Sequence, residues 1–173
     1  MTVGKPSVSN ISLQAGFTIV EMAVVMVLLG IAVAWAVPSY RTATANADLR
    51  GVTMDFVSVL NNARAEAVHA RNVVLLESLS GDGQWGDDGW RLVHPREGDF
   101  DYGVRGKVTV REINDVASAT FRPDGLVVDG DGAPVSLVFR ICDDRDSEAG
   151  RQISVNRFGR VENTTPADRT GCQ

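Results

Sequence analysis

A chain of 173 residues, 44% of them hydrophobic, holds enough apolar side chains for one compact core. Its net charge of −5 excludes a broadly basic surface and wholesale nucleic-acid binding, though not a local cationic patch. Two histidines and two cysteines, without metal-ligand spacing, give no zinc site.

Residues 1–16 contain Lys5, Pro6 and several serines without hydrophobic periodicity, and read as a processing segment. The next 21 residues, 17–37, carry a single ionisable side chain, Glu21. A bilayer core is spanned by a helix of about 20 apolar residues, so 17–38 is expected to be a transmembrane helix. A carboxylate near the bilayer centre costs about 2.5–3.5 kcal/mol and therefore usually has a partner. Glu21 lies one helical turn from Phe17. A free amine at Phe17, made by cutting after Gly16, would be its natural counter-ion, in the same chain or a neighbouring one. Two other readings stand beside this one. The helix can be an ordinary anchor, or a secretory signal cut after the small-x-small triplet Ala34-Trp35-Ala36. A secretory signal wants its positive charge adjacent to the apolar core rather than an acid within it. A mature N-terminus at Phe17 or at Val37 separates the cases. Lys5 ahead of the apolar run favours an N-in, C-out orientation, although Arg41 and Arg50 follow the helix.

Pro38 lacks an amide hydrogen and is expected to kink or locally break the helix. Residues 39–70 are rich in alanine and predicted helical. Leu49, Val52, Phe56, Val59, Leu60, Ala63, Ala67 and Ala70 make one apolar stripe of period 3.6, with Asp48, Asp55, Asn62, Glu66 and His69 largely off it. Met54 and Phe56 are read as core. A helix from 17 to 71 would be roughly 80 Å long.

After residue 71 the period becomes two. Strands are expected at 73–76, 90–93, 107–113, 118–122, 126–128 and 135–142. A hairpin is expected from 151–155 and 158–161 around Asn156-Arg157. Glycine- and aspartate-rich loops are expected at 81–89, from Pro95 to Gly106, at 123–125, at 130–134 and at 143–150. The tail from Glu162 is expected to be irregular. One long helix followed only by strands gives an α+β domain, the helix packed on an antiparallel sheet or sheets.

Gly16-Phe17-Thr18-Ile19-Val20-Glu21 before an apolar helix resembles the type III signal of type IV pilins and type II secretion pseudopilins. The resemblance implies a prepilin peptidase that cuts after Gly16 and methylates Phe17. It implies that Glu21 aligns the subunit as it joins a filament. The later chain resembles the GspH/FimT family in particular. The residues that carry this are Ala63-Arg64-Ala65-Glu66-Ala67, Trp85 with Gly89-Trp90, Phe121-Arg122-Pro123-Asp124-Gly125, and Gly150-Arg151 with Gly159-Arg160. Each motif is short; their order along the chain makes the case. The resemblance implies a leader (1–16), a transmembrane helix (17–38) and a periplasmic pilin-like domain (39–173), single-pass in the inner membrane of a Gram-negative bacterium. In that oxidising compartment Cys142 and Cys172 read as one disulfide rather than two free thiols. The loop of about 30 residues is worth perhaps 3–4 kcal/mol in the chain-entropy model.

No catalytic constellation is present: no nucleophile motif, no phosphate-binding glycine loop, and Gly-Asp clusters without the calcium-loop spacing. The chain reads as a non-enzyme without cofactors. Arg151, Arg157 and Arg160 occur close together, and DNA-uptake members of the family carry a late Gly-Arg-x-Arg motif that contacts DNA. Here the segment is Gly159-Arg160-Val161-Glu162, and Glu162 would repel phosphate. The expected function is a minor type IV pilin that primes or caps pilus assembly and supports twitching motility or adhesion. Its implied partners are other minor pilins, the major pilin, the prepilin peptidase and the inner membrane. The alternatives are a DNA-binding minor pilin for transformation and a minor pseudopilin of type II secretion.

Overall fold

The computed structural model describes residues 16–94, 96, 98–145, 150–166, 170 and 172. Residues 1–15 of the expected leader lie outside them. The chain divides into two compact units, Met1–Arg41 and Thr42–Gln173. One helix, α1 (Ile19–Ala70), contributes to both. In the first unit every described residue is exposed. The helix contains a stretch long and apolar enough to cross a membrane. Pro38 lies inside α1 and does not break it. A proline removes one bond from the ladder, and the alanine-rich turns around it retain the others.

The second unit packs the later part of α1 with nine strands. They are β1 (Val74–Ser78), β2 (Trp90–His94), β3 (Gly98–Tyr102), β4 (Val108–Glu112), β5 (Ser118–Phe121), β6 (Val127–Val128), β7 (Leu137–Asp143), β8 (Arg151–Val155) and β9 (Val161–Thr164). They form a five-stranded sheet, β3-β2-β1-β5-β6, and a four-stranded sheet, β4-β7-β8-β9. Every pairing within them is antiparallel. The antiparallel sheets with one helix are the expected α+β architecture.

The apolar stripe of α1 lies in the core: Leu49, Val52, Phe56, Val59, Leu60, Ala63 and Ala67 are buried, together with Thr53. Phe56 is the hub. Its ring meets Trp90 edge-on at 4.8 Å and Phe139 at 4.7 Å, so it joins both sheets. Trp85 packs on Phe139 at 5.1 Å, and its indole N–H donates to the Val116 carbonyl at 2.8 Å. Gly89, at φ 93°, lets the chain enter β2 against β3, since a Cβ there would lie 2.0 Å from the Tyr102 carbonyl oxygen.

Three expectations need correcting. Met54 is 67% exposed, because it sits two residues from Phe56 and so faces away from the stripe. The expected loop after Pro95 contains β3, an exposed edge strand whose acids and aromatics alternate. A single-sided edge needs no buried face, so the polar residues that read as loop can pair there. The last strand is shifted: β9 starts at Val161 and runs to Thr164, through residues read as irregular tail. It too is a polar edge.

Candidate assembly and processing site

The start of α1 is built from its own first residues. Thr18 stands just before the helix, and its carbonyl accepts the Met22 N–H at 3.2 Å. Its hydroxyl accepts the Glu21 N–H at 3.1 Å. Thr18 is therefore the N-cap, and Glu21 is the third helical residue. The spacing Thr18-x-x-Glu21 is that of a capping box, a local signal carried by the sequence in addition to the cleavage motif. Gly16 and Phe17 precede the helix; both are exposed, Phe17 by 78%. The amide groups of the first turn leave partial positive charge there, on the turn that carries Glu21. Chemically, this is an accessible peptide bond followed by a capped helix with an acid in its first turn.

The three arginines singled out in the sequence do not form one face. The β8–β9 register pairs Gln152 with Thr164 and Val155 with Val161. Arg151 thus sits at the end of the hairpin away from its turn, roughly 16 Å along the strand from Asn156. It donates to the Thr165 hydroxyl and lines, with Arg50, a cavity of about 400 Å³. Arg157 lies over the Phe158 ring at 5.3 Å. Arg160 is ion-paired with Glu162 at 3.1 Å.

Cys142 on β7 and Cys172 form a disulfide with a Cα–Cα distance of 5.6 Å. It closes a loop that contains β8 and β9 and ties the chain end to the four-stranded sheet. Among the described residues, no group of three or more His, Cys, Asp or Glu is placed to hold a metal. Carboxylates of the Gly-Asp loops cap their own backbones: Asp82 accepts from Ser80 Oγ and Gln84 N–H, and Asp129 from Asp131 and Ala133 N–H. These bonds, led by the Ser80 hydroxyl, hold the Asp82 carboxyl below its ordinary pKa. His94 contacts Glu66 at 3.2 Å beside a cavity of about 500 Å³.

Against known families, residues 52–159 match the model of the type II transport protein GspH, and residues 11–37 match the prokaryotic N-terminal methylation motif. The chain belongs to the GspH family. Two solved structures are similar to this GspH-family chain, both of the type IV minor pilin FimU of Pseudomonas aeruginosa (strain PAO1). In space group P21 the identity is 25%, covering 72% of this chain and 97% of FimU, at a TM-score of 0.58. In space group P65 it is 23%, covering 69% and 98%, at 0.54, a likeness of fold alone. No curated protein matches. The GspH-family chain is thus a structural minor pilin or pseudopilin, with an apolar N-terminal helix suited to membrane anchoring and with the family's processing motif.

Proposed function

We propose that the chain is a minor type IV pilin that primes pilus assembly or caps the filament, supporting twitching motility or adhesion. A prepilin peptidase cuts after Gly16 and methylates Phe17. Residues 17–38 cross the inner membrane with the N-terminus inside, and residues from 39 onward form the periplasmic domain. On joining a filament, Glu21 pairs with the amine of Phe17 on a neighbouring subunit. The observation that carries this reading is the capped helix start, Thr18-x-x-Glu21, directly after Gly16-Phe17 in a chain whose domain has the fold of FimU. The test is a deletion strain scored for surface pili, twitching, secretion and transformation, with the mature N-terminus sequenced. Loss of pili and twitching with an N-methylated Phe17 is the expected result. Intact pili with lost secretion would overturn it.

A second reading, the minor pseudopilin of a type II secretion system, is favoured by the family's own description as a type II transport protein. The same strain separates the two. The DNA-uptake reading loses support from the hairpin, where Arg160 is neutralised by Glu162 and Arg151 stands apart.

A further inference from the structure

Three of the short motifs in the domain converge at one place. Arg64 of α1 lays its stem across the turn between β8 and β9. A Cβ at Gly159 (φ 71°) would lie 2.8 Å from Arg64 Cδ, 2.9 Å from its Nε and 3.1 Å from the Gly125 carbonyl oxygen. Gly125 belongs to the turn between β5 and β6, so two turns from different sheets seat one arginine. The Val127 N–H donates to the Arg157 carbonyl at 2.9 Å and locks the turns together. The Asn156 side chain accepts the Phe158 and Arg160 amides at 3.0 Å and fixes the outer one.

The surface that results is cationic and aromatic. Phe158 is 57% exposed, with the Arg157 guanidinium over its ring. Val68, one helical turn beyond Arg64, is 48% exposed and shares a hollow of about 410 Å³ with it. Arg122 and Arg160 are paired with Asp124 and Glu162. Among the described residues, no acid pairs with Arg64 or Arg157.

We propose that this surface docks an acidic segment of another pilin subunit, one that presents two carboxylates beside an apolar side chain. The Arg157 guanidinium rests on the Phe158 ring and the Arg64 stem on the turn, and two guanidiniums match two carboxylates, each by paired N–H···O bonds. Arginine and exposed aromatic residues are what the centres of protein interfaces select. A continuous polyphosphate fits less well, because it would also meet Asp124 and Glu162. The proposal rests on the pilin reading for the kind of partner, not for the chemistry of the surface.

The test replaces Phe158 with benzoylphenylalanine in the full-length chain, in its own cells, and irradiates them. The expected adduct joins a different pilin-like chain at a peptide with at least two acids. Arg64→Glu should lower its yield about tenfold, and reversing the two partner acids to lysine should restore it. Arg157→Glu, at an exposed side chain, should act alike and guards against a folding defect at Arg64. An adduct to a second copy of this chain, or to nucleic acid, overturns the proposal. So does an adduct indifferent to both substitutions, or none from a chain recovered in sheared pili. An acid-rich pilin-like adduct from a chain that never reaches pili sinks the pilus reading and leaves the docking surface standing.

Discussion

Glu112 is fully buried, yet its carboxylate is saturated, and its loss should be the costliest single polar change in the domain. One oxygen accepts the Asn114 and Val116 amides at 2.7 and 3.0 Å; the other accepts the Val138 amide at 3.0 Å and the Asn114 side chain at 3.2 Å. Val116 in turn accepts the Trp85 indole, so the acid at the end of β4 fixes both β7 and a wall of the aromatic core. Glutamine keeps the shape but has one carbonyl oxygen. Whichever way it turns, its amide group faces at least one backbone N–H that now donates to the carboxylate. Leaving that donor unpaired costs about 2–3 kcal/mol. Alanine strands three backbone amides and should cost about 4–6 kcal/mol. The domain has about 130 residues, so each kcal/mol shifts Tm by about 3–5 °C. The buried hydrophobic cluster lies wholly within Thr42–Gln173, so thermal unfolding of that fragment by circular dichroism is the assay. Glu112→Gln should lower Tm by about 6–15 °C, with Glu162→Gln as the exposed control. A Tm within about 2 °C of the parent would refute the reasoning.

Glu21→Ala should leave insertion intact, because a charge leaves the membrane, but reduce recovery in sheared pili; normal recovery rejects its role in assembly. Reducing Cys142–Cys172 should destabilise the domain by about 3–4 kcal/mol, read as a Tm lower by on the order of 10 °C, and an unchanged Tm counts against the bridge as a brace. Glu162→Arg should strengthen low-salt binding to duplex DNA by releasing Arg160; tight binding by the unaltered chain at physiological salt, lost in Arg160→Ala, would restore DNA uptake as the leading function. The hydrogen bond from Arg91 holds the Asp101 carboxyl below its ordinary pKa. Its contribution is therefore complete above about pH 4 and is lost as pH falls through the lower folded value, so the protection of β3 amides, relative to their intrinsic exchange at each pH, should fall in acid, and less so in Arg91→Ala.

Periodicity carried the fold where a buried face existed. The stripe from Leu49 to Ala67 and the alternation in β4 and β5 are direct imprints of burial on one side. It failed where no face is buried. In β3, Asp99 and Asp101 alternate with Phe100 and Tyr102, a period of two, but aspartate and glycine are also what loops use. Only the pairing with β2 decides between them, and pairing is not a property of the segment itself. Met54 shows the converse error, an apolar residue assigned to the core without regard to its angle on the helix.

The site divides along the same line. The helix start was legible because Phe17, Thr18 and Glu21 are neighbours in sequence and the cap is a local bond. The arginines were not, because their meaning depends on register. Arg151, Arg157 and Arg160 fall within ten positions, yet a hairpin separates its ends by its strand length. Arg64 is far from all three in sequence, yet its stem lies against Gly159, in the turn that carries Arg157 and Arg160. The sequence places Glu162 against phosphate binding near residue 160, and in the folded chain that acid pairs with Arg160. Among the described residues, no acid pairs with Arg157, which lies over Phe158, or with Arg64, whose stem crosses the same turn. Two discrete charges beside an exposed ring make a surface suited to a carboxylate pair on a protein, not to the repeating charge of a nucleic acid.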